Sequence, residues 1–131
     1  ITSLADLYMI FPGNKAIAIE YGKALLDQRS PEQARIAIDV LKQQLVSRKT
    51  DPTLYQLYAR AASIAGDDIR STEAIAESYY QRGGTEEAIT QLEGLERQSD
   101  LDYYQRARVS ARLMELRIEA GEIDLPPDNE S

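Results

Sequence analysis

Glu73 and Glu77 stand four residues apart, a spacing that sets two carboxylates on one face of a helix. Paired carboxylates are the minimum for general acid–base chemistry. The rest of a catalytic set is missing. The chain has no histidine and no cysteine. That removes imidazole bases, thiol nucleophiles, histidine-dependent serine triads and every His or Cys metal site. No Asp or Glu cluster has calcium-loop spacing either. Glu73 and Glu77 therefore read as a solvated helix face. Carboxylate recognition is the other chemistry on offer, through Arg106, Arg108, Arg112 and Arg117. The acids just before them, Glu86, Glu87, Glu93, Glu96, Asp100 and Asp102, are their expected partners. Docking of a neighbouring domain is the alternative. The tyrosines cluster as Tyr55 with Tyr58, Tyr79 with Tyr80, and Tyr103 with Tyr104. They are expected to pack in core and groove with their hydroxyls reaching the edge. Tyr80 and Tyr58 are the candidates for lining a peptide-binding surface.

The charge balance bears on partners. The chain has 131 residues and a formal net charge of −7. The first 50 residues carry seven basic and five acidic side chains, the remainder eight and seventeen. Such acidity repels phosphate backbones, so no nucleic-acid partner is expected. No run approaches the roughly 20 apolar residues that span a bilayer, so no membrane insertion is expected. No secretory leader is legible. Ile1 lies within an apolar stretch, which reads as a piece excised from a longer protein.

These side chains must be positioned by helices, since no stretch alternates with period two. Residues 2–11 read as the last turns of a helix that began upstream, broken by Pro12-Gly13. Asn14 is an N-cap for a helix over 15–29. Ser30-Pro31-Glu32-Gln33 predicts a capping box and a helix to about Arg48. Asp51-Pro52 opens the next, which Gly66 ends. Further helices are predicted over 68–82, 85–98 and 101–120, with Glu86 and Glu87 at the positive end of a helix dipole. Residues 122–131 hold Pro126-Pro127 and four acids, without periodicity, and are expected to form a disordered tail.

Small residues recur at a fixed distance along these helices. Gly22 and Ala34 are twelve residues apart, as are Ala76 and Ala88. Leu25, Ile38 and Leu41 follow the first frame, and Tyr79, Gly83, Leu92 and Leu95 the second. Ala59, Ala62, Gly66, Ser71 and Ile75 give a weaker copy. Small residues so spaced let antiparallel helices cross closely. The pattern predicts an all-α, tetratricopeptide-like array of antiparallel helix pairs over residues 1–121, a short α-solenoid of about six helices plus an N-terminal fragment. The array is irregular. Gly22 to Ala59 is 37 residues and Ala59 to Ala76 only 17, against a usual repeat of about 34. The helix after Gly66 can thus be the second of one pair or the first of the next. First helices line the concave face of such arrays and bind protein or peptide. That assigns Ile19, Lys23 and Leu26, then Gln56, Arg60 and Ser63, then Arg70, Glu73, Glu77 and Tyr80 to one surface. Tyr79 is expected between helices. Only Lys23 and Arg60 are suitably basic, too few donors for a carboxylate clamp.

A more specific likeness lies in Asp51-Pro52-Thr53-Leu54-Tyr55, in Ala76-Glu77-Ser78-Tyr79-Tyr80-Gln81-Arg82-Gly83-Gly84 and in Asp102-Tyr103-Tyr104-Gln105-Arg106. Phe11-Pro12-Gly13-Asn14 adds to it. Together they resemble the C-terminal tetratricopeptide domain of periplasmic zinc metalloproteases of the β-barrel assembly-enhancing protease family, over nearly all the chain except the tail. The resemblance implies a periplasmic, non-catalytic domain that engages substrate polypeptide, its own N-terminal protease domain or the outer-membrane protein assembly machinery. It places the zinc, bound by His-Glu-x-x-His and a further Glu, in a catalytic domain outside this chain. No cofactor is expected here. The alternative is a generic tetratricopeptide adaptor in a cytoplasmic or secretion complex.

Overall fold

A computed structural model describes residues 3–122. Those residues form seven helices: α1 (Leu4–Ile10), α2 (Lys15–Asp27), α3 (Pro31–Ser47), α4 (Pro52–Ala65), α5 (Asp68–Gln81), α6 (Thr85–Glu96) and α7 (Tyr103–Glu119). No strand occurs among the described residues. Each helix packs antiparallel on the next, and α2 also touches α4. The chain is an all-α, tetratricopeptide-like array. The expected tail lies outside the described residues apart from Glu122.

Local chemistry sets the helix ends. Asn14 caps α2 by accepting from the Ile17 amide at 3.1 Å. Asp51 caps α4 by accepting from the amides of Thr53 and Leu54, and Lys15 forms an ion pair with the same carboxylate. Burial acts to raise the Asp51 pKa, but Lys15 and the two amides outweigh it and hold the carboxyl below its ordinary value. Gly66 closes α4 at φ 88° and Gly83 follows α5 at φ 87°. In this left-handed region a Cβ would be strained.

Two starts differ from the sequence reading. Ser3 and Asp6 form a capping box, so α1 begins at Leu4 and not upstream. Ser30 makes no cap bond to the α3 backbone. Its hydroxyl donates to the Glu32 carboxylate at 2.8 Å, and in that arrangement its oxygen accepts from no α3 amide. Pro31 at the first helical position starts α3 without that cap.

Two hydrophobic clusters hold the array. The first joins α2, α3 and α4 around Leu25, Leu26, Leu41, Leu54, Leu57 and Tyr58, with Ala74 of α5 against it. The second joins α5, α6 and α7 around Ala76, Ala88, Leu92, Leu95, Leu113 and Leu116. Ala76 and Ala88 are 1% and 0% exposed, as close helix crossing requires. α4 and α5 meet through small residues. Ser71, buried on α5, donates its hydroxyl to the Ala59 carbonyl of α4 at 2.8 Å. Burial without that partner would cost about 1–3 kcal/mol.

Candidate functional site

A cleft and a groove flank α5, and its two sides differ in chemistry. One side carries Glu73 and Glu77. Arg108 of α7 grips Glu73 with two bonds, Nε to Oε2 at 2.7 Å and a terminal nitrogen to Oε1 at 2.6 Å. Arg112 grips Glu77 likewise at 2.5 and 3.1 Å and reaches Glu115 at 3.1 Å. The Glu73 hydrogen bond, followed by its charge, raises the already high pKa of Arg108. Burial disfavours the charge of Arg112, but Glu77 and Glu115 outweigh it and raise its pKa. Arg112 also stacks 4.9 Å from the Tyr80 ring centroid, a cation–π contact. The Tyr80 hydroxyl donates to Glu119 at 2.5 Å, and that bond is the main reason its own pKa is raised.

Both glutamate–arginine pairs span 35 residues. One offset for two successive pairs means that α5 and α7 run parallel, one repeat apart. This ladder was legible in the sequence: two acids spaced i,i+4 are followed, about one repeat later, by two arginines with the same spacing. Charge proximity along the chain pointed instead to the acids of α6. Only Arg117 follows that expectation, binding Glu93 at 3.1 Å, while Arg106 donates to the carbonyls of Glu96 and Gln98.

Beside the ladder is a groove of about 360 Å³. Leu45 and Val46 of α3, Tyr55 and Tyr58 of α4, and Arg70 of α5 border it. Tyr58 is buried, and burial is the leading cause of its raised pKa. The Tyr55 hydroxyl donates to the Lys49 carbonyl at 2.8 Å.

The other side of α5 faces α4 across an open cleft of about 900 Å³. Gln56, Arg60, Ser63 and Ile64 form its α4 wall, and Ile75, Ser78, Tyr79 and Arg82 its α5 wall. Arg29, in the turn after α2, stands at the rim.

The ten residues assigned to one concave surface are therefore divided: Ser63 lines the large cleft, Arg70 borders the smaller groove and Leu26 is fully buried in the first core cluster. Gln56 and Arg60 line the large cleft. Glu73 and Glu77 lie on the opposite side of α5, held by α7, with Tyr80 beside them. Ile19 is half-buried against the first core cluster. Lys23 is exposed, with Glu20 at 3.8 Å. The reason is the position of α5. It borders a groove with α3 and binds α7 in parallel, so it lies with the second helices of the array rather than the first. Tyr79, expected between helices, is 42% exposed in the cleft for the same reason. Tyr103 and Tyr104 are exposed on α7 as an edge-to-face pair with centroids 5.6 Å apart.

Among the described residues no group of three or more Asp or Glu side chains is placed to share a metal ion. No described helix is long and apolar enough to cross a membrane. No protein-family model and no curated protein matches the chain.

Proposed function

We propose that this chain is a protein-interaction module that holds extended polypeptide in the cleft between α4 and α5. One observation carries the reading: an open cleft of about 900 Å³ in which charged, hydroxyl, aromatic and aliphatic side chains alternate on two helix walls. A mixed lining of this kind suits a polypeptide, whose backbone and side chains present both polar and apolar groups. Affinity for any one segment is modest, because an extended chain loses conformational freedom when it is held.

The resemblance of residues 51–55, 76–84 and 102–106 supports a more specific assignment. In it the chain is the non-catalytic tetratricopeptide part of a periplasmic zinc metalloprotease that acts in outer-membrane protein assembly and quality control. The polypeptide is then an unfolded outer-membrane protein or a segment of the assembly machinery. Two experiments test this. A His-Glu-x-x-His helix encoded upstream in the parent gene supports it; a parent gene without one contradicts the protease assignment. Capture of a urea-unfolded outer-membrane β-barrel protein tests the cleft. The Tyr79→Ala, Arg60→Ala double variant, shown to be folded by circular dichroism, is expected to lose most capture. Capture equal to that of the unmodified chain would remove the cleft from the function.

A further inference from the structure

The cleft between α4 and α5 runs against the charge of the molecule that carries it. The chain has 22 acidic and 15 basic side chains. Yet the charged residues lining this cleft are Arg29, Arg60 and Arg82, with no acid among them. Among the described residues, Arg60 is the one of the three with a carboxylate partner, Asp27 at 3.4 Å. Both side chains of that pair are largely exposed, 46% and 73%. An exposed pair of this length is weak and readily exchanged. Asp27 thus marks where a second carboxylate would bind, and an incoming one can displace it.

Arg29 adds an independent observation. It is the one non-glycine residue at positive φ among the described residues, at 51°. It follows the last turn of α2, donating its amide to the Leu26 carbonyl at 3.0 Å. Glycine or asparagine takes this position at least cost. A long cation stands there instead, at the cleft rim. Backbone strain of this kind clusters at ligand clamps and other functional positions. Between the arginines lie Ile64, Ile75 and Tyr79, with Ile75 and Tyr79 36% and 42% exposed. These give apolar contacts that a bare anion would not use.

We propose that the cleft selects acidic polypeptide: an extended segment whose Asp or Glu carboxylates are held by Arg29, Arg60 and Arg82 while intervening aliphatic side chains rest on Ile64, Ile75 and Tyr79. Guanidinium groups bind carboxylates through paired hydrogen bonds, so the three arginines supply direction as well as charge. A nucleic acid is disfavoured because it carries a charge on every phosphate and offers no aliphatic side chains to rest on Ile64 and Ile75. This inference rests on the reading of the cleft as a polypeptide site and adds the chemistry of the segment it takes.

Fluorescence anisotropy with the whole chain tests it. Three labelled probes are used: a twelve-residue peptide of Asp and Glu interspersed with Leu and Val, its Asn and Gln counterpart, and a single-stranded twelve-nucleotide DNA. The acidic peptide is expected to bind at least about tenfold tighter than the neutral one and to weaken several-fold from 50 to 500 mM salt. Arg60→Gln and Arg82→Gln are each expected to weaken it about three- to tenfold. Arg97→Gln, outside the cleft, leaves it unchanged. Arg29→Gly carries the sharpest expectation: weaker peptide binding together with a melting temperature that is equal or higher, because strain is relieved. Equal affinity for the acidic and neutral peptides overturns the inference and leaves the polypeptide reading intact. So does tighter binding of the DNA. If neither peptide binds while unfolded β-barrel protein is still captured, the charge selection is wrong and the capture function stands. If capture also fails, both fall.

Discussion

Removing the Glu77 carboxylate tests whether the α5–α7 ladder holds the C-terminal half in register. Glu77 and Arg112 are 21% and 30% exposed at their side chains, and Glu73 and Arg108 17% and 32%. These pairs are thus two-thirds or more withdrawn from water. Freely exposed pairs couple by about 0.2–1 kcal/mol. Two short charge-assisted bonds per pair place these at the upper end, about 1 kcal/mol of coupling each. Glu77→Ala also leaves the Arg112 guanidinium half-buried and without its main partner. The single variant is therefore expected to lose about 1–2 kcal/mol, or roughly 3–8 °C in melting temperature for a domain of this size. The assay is a urea-unfolding double-mutant cycle of Glu77→Ala with Arg112→Ala. A charge exchange, Glu73→Arg with Arg108→Glu, probes the other rung. Glu73→Arg alone should destabilise through repulsion from Arg108, and the exchange should recover most of the loss. A coupling below about 0.3 kcal/mol, together with an exchange that recovers nothing, would refute the parallel α5–α7 register as a source of stability.

Other expectations follow from the same structure. Ala88 is fully buried against the α5 crossing, so Ala88→Leu should destabilise by about 1–3 kcal/mol through overpacking, and an unchanged thermal midpoint would contradict that crossing. The pKa of Asp51 is lowered on folding, so its contribution is present above the unfolded value near 3.8 and is lost as pH falls through the lower, folded value. Asp51→Asn keeps the cap but lacks the charge, and its urea midpoint should fall less than that of the unmodified chain between pH 5 and pH 2. Calorimetric titration with zinc is expected to show no stoichiometric sub-micromolar site, because the resemblance places the ligands outside this chain.

The parts legible in the sequence are those decided within a few residues. Asn14 and Asp51 cap helices because their short side chains reach amides two or three residues ahead. Gly66 and Gly83 stop helices because the chain turns left-handed there. Ala76 and Ala88 are buried because two helices cross over them. Ser30 shows the limit of such reasoning: its hydroxyl could accept from an α3 amide or donate to a nearby carboxylate, and it donates to Glu32 with no cap bond formed. The surface was less legible because it depends on where α5 lies. Gln56 and Arg60 fell into one cleft, while Glu73, Glu77 and Tyr80 turned toward α7. The 17-residue interval between Ala59 and Ala76 left both placements open. The shared 35-residue offset of the two glutamate–arginine pairs decided between them. Arg29 was hidden for another reason: no residue preference predicts a strained arginine where glycine fits best.

Site-specific photocrosslinking tests the central claim most directly. A photoreactive phenylalanine analogue is placed in turn at Ile64, Ile75 and Tyr79 in the cleft, and at Val46 and Tyr104 outside it. Each variant is exposed to an unfolded outer-membrane β-barrel polypeptide. The account predicts strong adducts from the three cleft positions and weak ones from the other two. Adducts confined to Val46 or Tyr104, with none from the cleft, would contradict it.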